Sequence, residues 1–418
     1  MPEIDDAALS DARTLAAYLI FSGSYVVFAL GKFPWMKIDR PGAAIIGAVL
    51  MVAFRIVGAP EALASIDFAT IVLLFSMMLI VANLRLGGFF DAVAEWIIER
   101  LHPQHLLPTV IFTCGLFSAF LVNDIVCLVM TPFVLRIARR LGLPAVPYLV
   151  AVATASNIGS TATITGNPQN MLIGSLSGIR YVDFIAHLGP VALAGLFLNW
   201  ALLHVIYLRG SVDRAPVALA LTAPEFQHGR ARRKPVVVLA IVLGGFLAGV
   251  PPAMMAAIGA ALLLITRTVD PRKVYDEVDW GLLVFFLGLF IVVGGVERAG
   301  LTEALLRPVA TWNLHRLSIF VPATAVLCNV VSNVPAVMLL RTLVSGFPDP
   351  QAGWLVLAMA STLAGNLTIT GSVANIIVVE RAAAEGVHIG FREFSRVGIP
   401  VTVATLVFGS LWLWLTTA

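Results

Sequence analysis

Apolar stretches of about 20 residues, the length that crosses a bilayer as a helix, recur along this chain with short polar breaks between them. In the first half they cover 14–31, 41–58, 67–84, 146–178 and 181–208; in the second, 235–250, 252–267, 279–297, 352–380 and 394–416. Between the third and fourth stretches, Phe89, Phe90, Val93, Trp96, Ile97 and Leu101 alternate with Asp91, Glu95 and Glu99. That pattern predicts an amphipathic helix lying in the membrane interface over 88–101, with 300–312 as its counterpart. Residues 106–141 and 316–349 are apolar but interrupted midway by Asn123-Asp124 and Ser332-Asn333. Each predicts a re-entrant hairpin with the polar pair at its tip.

The fourth stretch of each half is broken by an unusually polar run. Ser156-Asn-Ile-Gly-Ser-Thr-Ala-Thr-Ile-Thr-Gly-Asn-Pro-Gln-Asn170 is echoed by Ser361-Thr-Leu-Ala-Gly-Asn-Leu-Thr-Ile-Thr-Gly-Ser-Val-Ala-Asn375 at an offset of 205. Asp67 matches Asp279 and Gly88 matches Gly300 at an offset of 212, and Asn123 matches Asn333 at 210. A shrinking offset is what short loop deletions produce after an internal duplication. Unwound backbone at membrane depth is tolerated only where protein packs it or where it lines a wet cavity. Interrupted hydrophobic segments at matching places in two halves point to a solute-binding site.

The expected organisation is a first repeat over 1–208, a basic cytoplasmic linker over 209–234 and a second repeat over 235–418. Five spans per repeat is an odd number, so the copies are oppositely oriented. With both termini outside, 20 of the 27 Lys and Arg fall in cytoplasmic segments, as the positive-inside rule requires. Hairpin one then enters from the cytoplasm, hairpin two from outside, and their tips meet near the midplane. The expected fold is an all-α polytopic membrane protein built of two inverted repeats.

Composition agrees: of 418 residues, 59% are hydrophobic and 12% charged, against about 25% charged in soluble domains. The net charge of +3 says little about partners. Cys114, Cys127 and Cys328 sit in apolar runs at no metal-ligand spacing, which argues against a zinc site or disulfide framework. The acidic N-terminus (Glu3, Asp5, Asp6, Asp11) is unlike a cleavable signal, so the first span is expected to stay in the mature protein.

The candidate site gathers small polar side chains from two breaks and two tips. The first repeat supplies Asn123, Asp124, Ser156, Asn157, Ser160, Thr161, Thr163, Thr165, Gly166, Asn167 and Asn170. The second supplies Ser332, Asn333, Ser361, Thr362, Gly365, Asn366, Thr368, Thr370, Gly371, Ser372 and Asn375. Hydroxyls and carboxamides donate and accept hydrogen bonds, so they can replace the hydration of a small polar solute. Freed carbonyls can coordinate Na⁺, and half-helix N-termini favour anions. The plainer alternative is that Ser, Thr and Asn glue helices together. Asp124 is the one carboxylate in either group, and its counterpart is Val334. An intramembrane carboxylate is by default a proton or cation carrier; the alternative is that it caps the next hairpin arm. Arg341, about 12 Å past the second tip at 1.5 Å per residue, is expected to snorkel to the interface. Cys127 and Cys328 flank the tips but are read as small hydrophobes. No Gly-x-x-x-x-Gly-Lys-Ser/Thr loop occurs, which leaves an ion gradient as the energy source.

Asn123-Asp124 followed by Thr131-Pro132, the run 157–170, Ser332-Asn-Val-Pro335 and the run 365–375 resemble the ion transporter superfamily. The branch they resemble holds arsenite permeases, sodium–proton antiporters and the melanosomal P protein. The resemblance covers nearly the whole chain. The Ser-Asn-Thr signature of the dicarboxylate branch is incomplete, since the tips read Val122-Asn123-Asp124 and Ser332-Asn333-Val334. The resemblance implies an elevator-type secondary carrier: hairpins and broken helices slide against a scaffold of outer spans, linked by the interfacial helices. It also implies a homodimer and, from the arsenite permeases, a soluble ATPase subunit that this chain does not encode.

The expectation is therefore a carrier of the bacterial inner membrane, not an enzyme, that exports arsenite or antimonite against protons carried by Asp124. Its partners would be a small inorganic solute or ion and the lipid bilayer, with no nucleic acid, no metal and no cofactor besides the coupling ion, H⁺ or Na⁺. A Na⁺/H⁺ antiporter and a Na⁺-coupled anion or carboxylate importer stand as alternatives. A non-transporting receptor is the reading from another class.

Overall fold

The computed structural model describes residues 6–31, 37–100, 103–208, 233–265, 269–300, 313 and 315–417. Its described residues form nineteen α-helices and short 3₁₀ or π turns. The linker expected at 209–234 falls almost wholly outside the described residues, as does the second interfacial helix expected at 300–312.

The first half runs α1 (Asp6–Leu30), α2 (Arg40–Ala53), α3 (Ala59–Ala64), α4 (Phe68–Leu86), α5 (Phe89–Arg100), α6 (Leu106–Phe120), α7 (Asn123–Arg140), α8 (Ala145–Ser160), α9 (Pro168–Ser177) and α10 (Tyr181–Leu203). The second runs α11 (Arg233–Leu247), α12 (Pro252–Ile265), α13 (Pro271–Asp276), α14 (Trp280–Arg298), α15 (Leu317–Val331), α16 (Asn333–Leu340), α17 (Pro350–Leu363), α18 (Val373–Ala384) and α19 (Phe391–Thr417). The order of the second half parallels that of the first, down to the caps. Asp67 and Asp279 each precede a long helix and accept a hydrogen bond from the third residue on, Thr70 N at 2.7 Å and Leu282 N at 2.9 Å.

Among the described residues, five helices are long and apolar enough to cross a membrane: Ala12–Leu30, Phe68–Leu86, Tyr181–Tyr207, Trp280–Arg298 and Phe391–Thr417. The stretch at 41–58 gives a shorter helix than expected, of 14 residues, about 21 Å at 1.5 Å per residue, whereas the helix of the stretch at 252–267 runs to the last described residue there, Ile265. In the first, Arg55 turns left-handed at φ 54° and Pro60 opens α3, so the apolar run continues where the helix does not. The second hairpin's return arm is likewise short, passing from α16 into a 3₁₀ turn over Arg341–Gly346.

Packing separates two bundles. In one, α2 lies against α14, α4 against α12, α1 against α2 and α11 against α12. In the other, the hairpins and broken helices pack on one another and on α10 and α19. Helix α5 touches α4 of the first bundle and α7 of the second.

The linker joins the end of α10 to the start of α11, so those ends define a linker side. Counting crossings outward from it places Arg85–Glu277 and Arg139–Glu385 at helix ends on that side. The hydrogen-bonded pair Asp67 and Ser175 and the ion pair Glu297–Arg341 lie at ends on the opposite side.

Candidate functional site

Each polar run ends one helix and begins another. Helix α8 stops at Ser160, and α9 starts after Asn167, whose Oδ1 accepts from Asn170 N at 2.8 Å. Helix α17 stops at Leu363, and α18 starts after Ser372, whose hydroxyl accepts from Ala374 N at 3.3 Å. Two equivalent asparagines staple the breaks. Asn170 Nδ2 donates to Ser160 O and Thr163 O, both at 3.0 Å. Asn375 Nδ2 donates to Gly365 O at 2.7 Å and Thr368 O at 2.9 Å. Carbonyls freed by unwinding are thus satisfied by carboxamides rather than left to lipid.

The stapled breaks are then tied to each other. Asn157 Nδ2 donates to Asn375 Oδ1 at 3.0 Å and Asn366 Oδ1 at 2.9 Å. Its Oδ1 accepts from Asn123 Nδ2 at 3.2 Å and Ser372 Oγ at 3.0 Å. Thr362, at the equivalent position, donates to Asn170 Oδ1 at 3.2 Å and accepts from Asn167 Nδ2 at 3.2 Å. Ser160 accepts from Asn167, and Ser156 lies between Ser118 Oγ and Asn123 O. All of these groups but Asn123 and Ser372, which also reach the cavity described below, are deep in the protein.

Other candidates hold the flanks. Thr161 donates to Asn157 O, Thr163 to Ala119 O, and Thr165 meets Tyr181 OH. Thr368 donates to Asn329 Oδ1 and touches Thr370, which is exposed; Ser361 bonds its own helix at Ala358 O. The glycines serve close approach. A Cβ on Gly166 would lie 2.3 Å from Ser160 O, one on Gly371 2.5 Å from Asn329 Oδ1, and one on Gly365 3.2 Å from Ser372 Cβ.

A cavity of roughly 370 Å³ lies between the bundles, lined by both tips and by the starts of α9 and α18. Of the expected site residues, Asn123, Asp124, Ser332, Asn333 and Ser372 reach it. The sequence reading missed Gln169 of the same run and the residues from the other bundle: Asp39, Arg40, Pro41, Asp279, Gly281, Leu282 and Phe285. Asp39 and Asp279 both carry a helix-start signature, an Asp before an apolar run, which is a structural signal rather than a functional one.

Within the cavity wall two atoms stand out. The buried Oδ1 atoms of Asn123 and Asn333, equivalent positions on the two tips, have no hydrogen-bond partner among the described residues. Buried polar atoms are nearly always paired, so two equivalent exceptions call for a ligand. Asp124 lies beside them and does not cap α7, whose N-terminus has no side-chain cap. Ser332 is held at φ 77°, a conformation that non-glycine residues adopt at a cost and that concentrates at functional sites.

Helices α7, α9, α16 and α18 all begin at the cavity, presenting partial positive charge. Against them stand Asp39, Asp124 and Asp279, with Arg40 the one basic side chain in the lining. The wall therefore offers donors and acceptors together, and more carboxylate than guanidinium. Cys114, Cys127 and Cys328 are buried away from it. Arg341, expected at the interface, pairs with Glu297 near the end of α14.

A citrate transporter family model, CitMHS, matches residues 25–364. A 46 kDa membrane protein of Mycobacterium leprae is 32% identical, over 96% of this chain and 98% of its own length. The silicon efflux transporter LSI3 of rice, Oryza sativa subsp. japonica, is 29% identical over the same shares. The crystal structure of the Alcanivorax borkumensis YdaH transporter, described as having an unusual topology, superposes with a TM-score of 0.55 at 17% identity and 98% coverage of both chains.

Proposed function

The chain belongs to the citrate transporter (CitMHS) family of the ion transporter superfamily, and from that premise we propose that it exports a small neutral metalloid hydroxide in exchange for protons. Transport across a membrane is common ground with its relatives; solute and coupling are this proposal. Arsenous and antimonous acids are triols, and silicic acid, the chemistry that the rice relative's name suggests, is a tetraol. Each brings O–H donors for Asn123 Oδ1 and Asn333 Oδ1, and oxygen atoms that suit the positive ends of the four helices that begin there.

The orphaned pair Asn123 Oδ1 and Asn333 Oδ1 beside Asp124 carries the reading. Asp124 would load and release the coupling proton. The two bundles supply a scaffold and a moving body for an elevator, with α5 spanning between them. A free citrate trianion fits less well, because three carboxylates and one guanidinium line the cavity.

The two unpaired oxygens and Asp124 also favour a second reading, a Na⁺/H⁺ antiporter, since hard cations take oxygen ligands. Thermal stability of the purified protein with arsenite, antimonite, silicic acid, Na⁺ or citrate separates the two. Stabilisation by a metalloid hydroxide, lost in Asn123→Leu, supports the first reading. Stabilisation by Na⁺ alone supports the second, and stabilisation by citrate alone overturns both.

A further inference from the structure

On the side away from the linker, the moving bundle is tied to the other. Ser175, near the end of α9, donates to the carboxylate of Asp67 at the start of α4, with both oxygens at 2.9 Å. Nearby on that side Arg341 pairs with Glu297 at the end of α14. On the linker side the cavity lies between Asp279 and the helix starts.

Asp279 is the counterpart of Asp67, with the same capping geometry: φ −79°, ψ 93° at Asp67 and φ −76°, ψ 82° at Asp279. At the offset of 205 that aligns α9 with α18, the counterpart of Ser175 is Glu380. The donor is thus replaced by a second carboxylate. Asp279 and Glu380 are both exposed, and no bond joins them among the described residues.

We propose that Asp279 and Glu380 form the linker-side latch equivalent to Asp67 and Ser175, closing only with a proton shared between them. The inference rests on the alternating-access reading above. When two repeats exchange conformations, α14 and α18 take up the relation that α4 and α9 have here, which brings Glu380 to Asp279. Two bare carboxylates in contact repel, whereas a pair holding one proton forms a strong hydrogen bond. The proton comes from the linker-side solvent and returns there when the latch opens. No covalent bond changes. These are positioning residues, distinct from Asp124 at the solute.

Other charges face the pair. Asp39, Arg40 and Asp124 line the same cavity as Asp279, and Arg85 is committed to Glu277. On α7, which packs against α18, Arg139 is committed to Glu385 and Arg136 is exposed. Outside the pair, Asp39 and Asp124 stand against Arg40 and Arg136, with Arg381 beside Glu380, so proton uptake on closing comes from the mutual repulsion of the two carboxylates themselves. The sign follows: closing raises the pair's proton affinity, so closure is favoured at low pH and lost as pH rises.

The experiment uses full-length protein in liposomes with Leu282→Cys in the cavity wall as reporter, the native cysteines being buried. A membrane-impermeant maleimide is applied from the linker side across pH, with rates normalised to a freely exposed thiol. Labelling is expected to be about tenfold slower near pH 5 than near pH 8, a single carboxylate pair releasing one proton across that range. Glu380→Gln, which supplies an amide donor in place of the proton, is expected to give slow labelling at both pH values, and Asp279→Asn likewise. Parent-like pH dependence in both variants would overturn the latch. Flattened labelling in protein that moves no metalloid hydroxide would retain the latch and reject the substrate. Proton-driven metalloid flux with unchanged labelling would do the reverse.

Discussion

Asn157 donates from Nδ2 to Asn375 Oδ1 at 3.0 Å, joining the first broken helix to the second across 218 positions of sequence. Thr362 mirrors it on Asn170 at 3.2 Å. Removing Asn157 strands Asn375, Asn366, Asn123 and Ser372 at once. At the roughly 0.6–1 kcal/mol that interhelical bonds average in membranes, Asn157→Ala should cost about 3 kcal/mol. Thr362→Val, which removes bonds to Asn170, Asn167 and Gln169, should cost about 2 kcal/mol on the same scale. Thermal unfolding in detergent measures both, and equal small losses would contradict the network.

The break in the first repeat needs close packing as well as hydrogen bonds. A Cβ on Gly159 would fall 2.1 Å from Gly115 O and 2.5 Å from its Cα. Backbone cannot yield as a flexible side chain can, so Gly159→Ala should cost about 3 kcal/mol or more. A Cβ on Gly23 meets nothing within 4 Å, and Gly23→Ala should gain up to about 1 kcal/mol from helix propensity. The two melting temperatures are therefore expected to move in opposite directions.

Ser332 sits at φ 77° at the second tip. Ser332→Gly should stabilise the protein by about 1 kcal/mol, the lower end of the strain a non-glycine residue bears there. If the hydroxyl touches solute, the same variant loses affinity while gaining stability. A melt and a binding isotherm on one preparation test this.

Two ion pairs should differ in consequence. Arg139–Glu385 has both side chains about half exposed, 49% and 51%, and Arg139→Gln should cost less than about 1 kcal/mol. Arg341–Glu297 is less exposed, 21% and 34%, and joins the second hairpin to α14. Arg341→Gln should change the transport rate more than the melting temperature, because it loosens one bundle from the other. Equal effects on rate in the two variants would remove that distinction.

Much of the architecture is legible in the chain. Both breaks and both tips follow from polar runs inside apolar stretches, because unwinding at membrane depth needs its own hydrogen-bonding side chains. Asn170 and Asn375 were marked by their repetition. Other features were hidden because they arise between bundles. Asp39, Arg40 and Asp279 read as helix starts and face the tips only once α2 and α14 pack beside them. Arg341 read as an interfacial residue because its partner Glu297 is 44 positions away. Hydropathy overstated the stretch at 41–58, since it does not register the left-handed turn at Arg55. Many of the singled-out Ser, Thr and Asn side chains bind one another, and the cavity is left to Asn123, Asp124, Ser332, Asn333 and Ser372.

The most direct test of the proposed mechanism is flux of arsenite and silicic acid in sealed vesicles under an imposed pH gradient, with Asp124→Asn beside the parent. Metalloid movement driven by the gradient is expected, lost in the variant while its fold and melting temperature stay close to the parent's. Gradient-driven movement that survives Asp124→Asn, or flux that follows Na⁺ and ignores both metalloids, would contradict it.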